Sequence, residues 1–324
     1  MQLDEFDFTL PEDRIAMRPA RPRSASRMLV WQGGDLIDRT VRDLPALLTP
    51  RDRLIINTTK VIPARLRGVR IRPESRGSGA AILVNLDRRL TADTWIALAR
   101  PLKRLRVGDI IRFDGQLSAR VCGVESGACR LQFSRKSDAL DAALAAIGEV
   151  PLPPYISNRR AADSADQTDY QSMFARHPGA VAAPTASLHF DETLVAALRR
   201  RAVAISTITL HIASGTFQPV TAREIESHRI HREHCIVEPE AAAAINATRK
   251  SGGRIIPVGT ASLRTVECAS KDGEVRPWSG STDLYIRPGY RFQIADGLLT
   301  NFHMPQTSLV ILVAAMIGIR PFRS

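Results

Sequence analysis

Short apolar runs separated by polar turns give way, along this chain, to longer amphipathic segments. Residues 52–57 predict a buried strand that opens into the polar turn Thr58-Thr59-Lys60. From Arg65 to about Gly148 the apolar runs become short and closely spaced. These runs lie at 81–84, 95–98, 109–113 and 129–133. Turns of Gly, Asp and Arg separate them, so the segment predicts a small antiparallel sheet or barrel, which a helix over 137–147 follows.

Strands and helices alternate after Pro151-Leu-Pro-Pro-Tyr155, which predicts a stiff linker. Helices are expected over 191–201, 239–250, 262–269 and 307–317, and strands over 203–212 and 254–258, the last with Pro257 at an edge or bulge. Alternation of this kind implies an α/β layer fold. Because α/β texture brackets the β-rich segment, we predict a discontinuous α/β domain, 1–64 and 151–324, with an inserted β-barrel domain, 65–150.

The composition fits a folded protein with an excess of positive charge. The 324 residues are 44% hydrophobic, which excludes wholesale disorder. Lys and Arg number 45 against 33 Asp and Glu, a formal net charge of +12 that attracts polyanions. The charge fits either a nucleic-acid partner or a solvated surface. Aromatic residues make up 5%, which argues against extensive base stacking.

Basic residues cluster in three places that could flank a cleft and neutralise phosphates. The clusters are Arg65, Arg67, Arg70 and Arg72; Arg100, Lys103, Arg104 and Arg106; and Arg199 to Arg201. For any one cluster a solvated face is the alternative.

The cysteines and the chain's hydropathy indicate a soluble cytoplasmic protein. Cys122, Cys129, Cys235 and Cys268 show no C-x-x-C spacing, which excludes a zinc ribbon or a thioredoxin-type motif and fits reduced thiols. The acidic amino terminus is unlike a signal peptide. The longest apolar run, 309–317, is well short of the roughly 20 residues that span a bilayer.

Two histidines flanked by hydroxyls are the leading candidates for chemistry. His189 ends a glycine- and proline-containing turn that starts at Gly179, and His211 ends the strand expected over 203–212. The neighbouring hydroxyls are Thr185 and Ser187 for the first, and Thr209, Ser214 and Thr216 for the second. A neutral imidazole can accept or donate a proton near pH 7. We therefore predict two walls of one polar pocket, the alternative being histidines hydrogen-bonded inside turns.

The run from Gly259 to Arg264 follows a strand and opens a helix, a place where backbone N–H groups favour anions. It predicts a site for a carboxylate or phosphate, with Ser262 as a mere N-cap the alternative. Neither a P-loop nor a G-x-G-x-x-G pattern is present.

Three histidines at 228, 231 and 234 invite comparison with a metal site. At i, i+3 and i+6 of one helix they would drift round the axis rather than converge, so we predict no metal and a polar pocket wall or solvated face instead. Asn301 and His303, in the stretch that ends at Pro305, could contact a ligand edge or lie in a simple turn.

Longer motifs extend from Phe6 to about Gly318. They are Asn57 to Leu66, Pro151 to Tyr155, Asp169 to Gln171, Gly179 to Phe190, Thr209 to His211, Gly215 to Phe217, His231 with Glu233, Val258 to Thr260 with Ser262 and Arg264, Pro288 to Tyr290, and Thr300 to His303. Through them the chain resembles the S-adenosylmethionine:tRNA ribosyltransferase-isomerases of queuosine biosynthesis. The resemblance implies a barrel-like α/β domain with an inserted small antiparallel β-barrel.

The resemblance also implies a reaction. The ribosyl moiety of S-adenosylmethionine, a cosubstrate, moves to 7-aminomethyl-7-deazaguanine at the wobble position of tRNA and isomerises to an epoxycyclopentane. Adenine and methionine leave, and the product is epoxyqueuosine-tRNA. No metal and no membrane are implied, and we expect a cytoplasmic monomer.

Site roles follow as hypotheses from the matching motifs. The catalytic set is His189 and His211 as the proton-transfer pair, with Thr185, Thr216 and Glu233. The cosubstrate set is Thr260, Ser262, Arg264, Asn301 and His303, with Arg264 as partner of the methionine carboxylate. Asn57, Thr58, Arg65 and His231 would face the nucleoside or tRNA.

The chain departs from the family pattern at four positions. The family usually has glycine where Ser187 and Ala213 stand, threonine at Ala261 and lysine at Gln306. A side chain in place of glycine could crowd a ligand or forbid positive φ. The family also normally continues for a few tens of residues beyond Ser324. Two alternatives thus stay open: a degenerate relative that binds tRNA or S-adenosylmethionine without full catalysis, and an enzyme that uses the same cosubstrate on another acceptor.

Overall fold

The structure, a computed structural model, describes residues 1–72, 79–114, 116–125, 127–217, 220 and 222–323, without the side chains of 216, 217 and 323. The strands are β1 Arg27–Gln32, β2 Asp35–Thr40, β3 Arg53–Asn57, β4 Thr59–Val61, β5 Arg65–Ile71, β6 Ala80–Arg89, β7 Thr94–Arg100, β8 Ile110–Phe113, β9 Ser118–Glu125, β10 Ala128–Phe133, β11 His177–Ala180, β12 Ala204–Leu210, β13 Glu233–Val237, β14 Ile255–Val258, β15 Ser270–Lys271, β16 Glu274–Val275 and β17 Trp278–Thr282. The α-helices are α1 Leu44–Leu47, α2 Ser137–Ile147, α3 Pro154–Ser157, α4 Asp166–Asp169, α5 Glu192–Arg200, α6 Pro239–Lys250, α7 Thr260–Cys268, α8 Ser308–Ile317 and α9 Ile319–Arg323.

A five-stranded sheet in the order β14-β3-β12-β13-β17 forms the centre of the α/β part. Strands β14, β3 and β12 are parallel, and β13 and β17 are antiparallel to their neighbours. Leu54 and Ile56 of β3 face a core with α1 and α5, while Ile55 faces a core with α6 and α7. All three side chains are fully buried, because helices cover both faces of the sheet.

Most of the expected helices and strands are present. The helix expected over 191–201 is α5, and the Asp191 side chain caps it by accepting a hydrogen bond from the Leu194 N–H at 2.9 Å. Pro257 lies in β14, the outermost strand of the sheet, where a residue without an N–H is tolerated. The polar turn expected at Thr58-Thr59-Lys60 is wrong. Thr59–Val61 is strand β4, which pairs in parallel with β11 and so satisfies its backbone groups.

The β-rich segment closes into an antiparallel barrel in the order β10-β7-β6-β5-β8-β9. Its interior is filled by apolar side chains such as Leu66, Leu86 and Leu131, and Leu140 and Leu144 of α2 complete this core. The expected fold class, an α/β domain with a small antiparallel β-barrel, is confirmed.

The chain enters and leaves the barrel at neighbouring residues. The Arg65 N–H donates to the Glu149 carbonyl at 3.2 Å, and the Glu149 N–H donates to the Arg65 carbonyl at 2.8 Å. Val181 of the α/β part packs into the barrel core, and the Ser214 N–H donates to Asp87 of β6 at 2.8 Å. These contacts support the division into 1–64 with 151–324 and 65–150, which we keep as a proposal.

Candidate active site

The candidate residues lie at one end of the five-stranded sheet, where β14, β3, β12 and β17 end and β13 begins. We call this end the sheet edge. The carboxyl ends of β14, β3 and β12 lie side by side there, because the three strands are parallel and in register. Strand β13 runs the other way, so its first residue, Glu233, lies at the same edge, opposite Thr282 at the end of β17. In open α/β sheets ligands bind outside the carboxyl ends of the strands.

Most of the candidate residues belong to this edge. Asn57, Thr58, His211, Glu233 and Thr260 lie at the strand ends or directly follow them. A bridge between Val258 and Leu299 brings in the 300–303 segment. The turn that carries Thr185 and His189 approaches Gly259 through Ala186. Arg65 does not belong to this edge, since it lies in the neck of the barrel beside Glu149.

His189 has both ring nitrogens engaged. Nδ1 lies 3.0 Å from the Ser26 hydroxyl, and that hydroxyl donates its own proton to the Arg23 carbonyl at 2.9 Å. With the Ser26 proton on the Arg23 carbonyl, Nδ1 carries the ring proton and donates to Ser26. Nε2 then holds the lone pair, and it accepts a hydrogen bond from the Asn301 amide at 2.8 Å. Burial lowers the pKa of His189, and the charge of Arg23 lowers this pKa further, so the ring is neutral at pH 7.

His211 lies in a second polar cluster. Its Nδ1 is hydrogen-bonded to the Thr59 hydroxyl at 2.7 Å, and its ring stacks on His234 with centroids 6.5 Å apart. Gly179, at φ +150°, backs the ring so closely that an added Cβ would lie 2.9 Å from it. Burial, with His234 and His177 nearby, lowers the pKa of His211 to about 4.

The two histidines are fixed by different partners. No hydrogen-bonding residue is shared between them within the part of the chain that the structure describes. The ends of β14, near His189, and of β12, which His211 follows, are two strands apart, about 10 Å at the usual strand spacing. Their action as a proton-transfer pair stays a prediction, and it requires a ligand long enough to reach both.

Glu233 and Arg264 form a buried ion pair at the same edge. Arg264 Nη1 donates to Glu233 Oε2, and the other carboxylate oxygen accepts from the Ala213 N–H at 3.1 Å. Arg264 Nε donates to the Leu284 carbonyl at 3.0 Å. Arg264 is only 7% exposed, and its Nη2 has no hydrogen-bond partner among the described residues. A buried guanidinium nitrogen without a partner indicates a missing acceptor.

A pocket of about 320 Å³ adjoins this ion pair. His231 lies over Gly215 in its wall, where an added Cβ would come within 2.3 Å of the ring. Tyr285 also lines it, and its hydroxyl, like Arg264 Nη2, is buried with no hydrogen-bond partner among the described residues. Burial raises the pKa of Tyr285 to about 12, so the hydroxyl is a donor at pH 7. Two unpaired donors at one pocket are suited to an anion.

Several candidates hold the framework rather than face a pocket. The buried Asn57 amide donates to the Leu210 carbonyl at 2.9 Å and accepts from the Leu210 N–H at 3.0 Å, continuing the ladder past β3. The buried Thr58 hydroxyl donates to the Ile208 carbonyl at 3.0 Å. Ser262 is fully buried and donates to the Val258 carbonyl at 2.8 Å. The N-cap of α7 is Gly259, so the alternative in which Ser262 caps the helix is wrong.

The remaining candidates are half-buried or lie outside the description. Thr185 and Thr260 are half-buried at the starts of their helical turns. His303 has Nε2 3.5 Å from the Thr300 hydroxyl, and burial lowers the pKa of His303 to about 4. The side chain of Thr216 lies outside the described part of the structure.

Sequence reasoning missed three features of the site. Ser26 and Thr59, which orient the two histidines, come from distant segments, and only Thr59 lies in one of the motifs, Asn57 to Leu66. Phe302 is 85% exposed between Asn301 and His303. In the sequence, the signal for Phe302 was an aromatic residue placed between two polar candidates, Asn301 and His303.

The four departures from the family pattern fit their surroundings. Ser187 is fully buried in a 3-10 turn without positive φ, and it donates to the Pro184 carbonyl at 2.8 Å. Ala213 also lacks positive φ, and its N–H reaches Glu233. Gln306, at φ 56°, donates to Asp4 at 3.4 Å, and Ala261 packs beside the core of α6 and α7.

Among the described residues, no helix is long and apolar enough to cross a membrane. No group of three or more His, Cys, Asp or Glu side chains is arranged to hold a metal ion in that part of the chain.

The chain is similar to known proteins over nearly its whole length. The family model described as queuosine biosynthesis protein matches residues 3–324. Curated relatives named S-adenosylmethionine:tRNA ribosyltransferase-isomerase include those of Ruegeria pomeroyi, 51% identical, and Cereibacter sphaeroides, 52% identical, each match covering 98% of this chain and 91% of the relative. The crystal structure of S-adenosylmethionine tRNA ribosyltransferase from Thermotoga maritima is similar at a TM-score of 0.53 and 30% identity, over 98% of this chain and 92% of that one. The chain therefore belongs to the queuosine biosynthesis protein family.

Proposed function

We propose that this chain is a transferase that moves the ribosyl moiety of S-adenosylmethionine onto 7-aminomethyl-7-deazaguanine at the wobble position of tRNA and isomerises it. The products are epoxyqueuosine-tRNA, adenine and methionine. The observation that carries the proposal is the sheet edge, which gathers two neutral histidines with defined partners and an anion pocket on a scaffold shared with relatives of that name.

The chemistry needs two proton transfers. A base must remove a proton from the carbon next to the sulfonium, which the positive sulfur acidifies, and adenine must be protonated as it leaves. His189 and His211 are neutral at pH 7 and would act at two points of the cosubstrate. Asn301 covers the lone pair of His189 Nε2, so a ligand must displace this amide before His189 can accept a proton.

The methionine end of the cosubstrate would occupy the pocket beside Arg264. Its carboxylate would accept hydrogen bonds from Arg264 Nη2 and the Tyr285 hydroxyl, two buried donors of this pocket that have no hydrogen-bond partner among the described residues. Glu233 holds the guanidinium in place through Nη1. The helix start at Thr260 is one turn from Arg264 on α7 and would lie along the sugar.

The tRNA would approach the same edge from solvent. Phe302, exposed beside Asn301, offers a flat apolar face on which an unstacked base could rest. The net charge of +12 favours a polyanionic substrate. The proposal includes a monomer that acts in the cytoplasm without a metal.

One assay tests the proposal. The protein is incubated with S-adenosylmethionine and tRNA carrying 7-aminomethyl-7-deazaguanine, and adenine release and the mass of the modified nucleoside are measured. We expect one adenine released per nucleoside converted. Binding of both substrates without adenine release would refute the proposal in favour of a binding-only relative. Adenine release with another acceptor alone would refute the assignment of the acceptor.

A further inference from the structure

Four exposed arginines stand on the outer face of the barrel, away from the site described above. Each lies on a different strand and directly follows a residue that is buried in the barrel core, Leu66, Ile111, Ala119 or Cys129. We name them the arginine diagonal: Arg67 of β5, Arg112 of β8, Arg120 of β9 and Arg130 of β10.

The strand register places these arginines on one line. Val69, two residues after Arg67, lies opposite the arginine of β8. Ile110, two residues before that arginine, lies opposite the arginine of β9. Gln132, two residues after Arg130, also lies opposite the arginine of β9. The first two steps across one strand thus each shift by two residues in the same direction along the sheet. The last step crosses a β-bulge between Arg130 and Leu131 and continues in that direction, with Arg130 opposite Gly123 of β9.

The length of this line excludes a small ligand. One step combines a strand spacing of about 4.8 Å with two residues of about 3.4 Å each, so neighbouring arginines are about 8 Å apart and the diagonal spans about 25 Å. A single phosphate or carboxylate could meet one or two of these side chains, whereas an extended chain of phosphates could meet all four.

The charge of this face is weakly compensated. The four strands of the diagonal carry six arginines and one carboxylate, Glu125 at the end of β9. Arg67 donates to Glu149 at 2.7 Å, but no ion pair involves Arg112 or Arg120 within the described residues. The diagonal borders a groove of about 440 Å³ between β5 and β8, whose lining includes Asp114 as its carboxylate.

We propose that the arginine diagonal binds the phosphate backbone of the substrate RNA, while the sheet edge acts on the base. This inference rests on the proposed function for the identity of the polyanion. The partner is an RNA rather than an anionic membrane, because Val69 is the single large hydrophobic side chain exposed on these four strands, within the described residues, and offers little for insertion into lipid.

The test removes three of the four charges. Arg67 is kept because it also hydrogen-bonds to Glu149, where the chain leaves the barrel. The triple variant R112A/R120A/R130A and the control R39A, which alters an exposed arginine of β2, are titrated with labelled tRNA without S-adenosylmethionine. We expect the triple variant to bind tRNA about tenfold or more weakly at 0.15 M salt, and the slope of log K against log salt to fall by about 2 to 3. R39A should bind as the parent does.

Two further measurements keep the outcome clear. Unchanged thermal unfolding and unchanged S-adenosylmethionine affinity show that the triple variant is folded, and the single variants R112Q and R120Q replace it if it is not. The inference would be overturned if the folded variant kept the parental tRNA affinity and salt slope. It would also be overturned if the substitutions weakened binding to phosphatidylserine vesicles but not binding to tRNA. The tRNA titration does not depend on turnover. Absence of adenine release in the activity assay would therefore refute the proposed function without changing the measured effect of the arginines on tRNA binding.

Discussion

At His189 one hydroxyl decides which ring nitrogen holds the proton. The Ser26 hydroxyl donates its proton to the Arg23 carbonyl, so it accepts a hydrogen bond from His189 Nδ1. The free lone pair of the imidazole is then on Nε2. The sequence indicated that His189 was flanked by Thr185 and Ser187, yet the partner that sets the tautomer lies 163 residues away. Sequence reasoning could therefore propose the histidine but not its protonation state.

Replacement of either histidine should reduce turnover sharply. H189A and H211A should each lower kcat by about 10² or more, because a positioned proton-transfer group contributes about that much. The exposed His177 provides the matched control, and H177Q should keep near-parental kcat. Single-turnover adenine release measures the chemical step. If both variants stay within a few-fold of the parent, neither ring transfers a proton in a slow step.

Phe302 gives a second prediction at this scale. F302A should lower kcat/KM for tRNA by about tenfold, because stacking of one base on an aromatic ring contributes roughly 1–3 kcal/mol. F302Y keeps the ring and should restore the value, whereas F302L keeps the volume and should not. The KM for S-adenosylmethionine should change little. Equal activity of F302L and F302Y would show that Phe302 acts through bulk alone.

At the scale of elements, the pattern of apolar residues predicted the long helices and the central strands well. It missed β13 and β17, because polar residues on their open sides hide the alternation. It also predicted a turn at Thr58-Thr59-Lys60, which is wrong. Thr59 lies in a strand paired with β11, and its hydroxyl is hydrogen-bonded to His211 rather than to water. Pairing with distant segments made these strands, and a single sequence does not show it.

Glycine at the back of His211 is required for two reasons that a matched pair of variants can separate. G179A should lower Tm and kcat together, since a Cβ would meet the imidazole and φ is +150°. G252A also places a side chain at positive φ, +74°, but nothing lies within 4 Å. It should cost only the backbone strain, about 1–2 kcal/mol, with kcat unchanged. Melting curves and kcat of both variants give the comparison, and equal kcat would exclude a steric role for Gly179.

At the scale of the whole molecule, the change of texture at Arg65 and at Pro151 predicted a barrel insertion. The strand order of this barrel and the register that aligns the arginine diagonal depend on pairings such as that of β7 with β10, so they could not be predicted from the sequence. The assembly of the candidate site at one sheet edge was also foreseen only in outline. Motifs indicated which residues matter, while strand order decided which of them lie together.

Stability should fall as the solution is acidified. Burial lowers the pKa of His211 and His303 to about 4 each, so between about 6.5 and 4 the unfolded chain binds more protons than the folded one. The free energy of unfolding, from urea titrations at pH 7, 5.5 and 4.5, should therefore decrease across this window. H211Q should flatten the dependence. A parental slope in H211Q would mean that His211 is not held neutral.

The paired backbone of Arg65 and Glu149 brings the entry and exit of the barrel together, so we propose that the barrel can be removed as a unit. Since entry and exit are already adjacent, a two-residue linker between Ala64 and Val150 would leave the path of the remaining polypeptide unaltered. Removal of the barrel would expose Val181 on the remaining α/β part, and a polar residue could replace it there. Such a trimmed protein would be expected to retain cosubstrate binding and to bind tRNA more weakly, through the sheet edge and Phe302 alone.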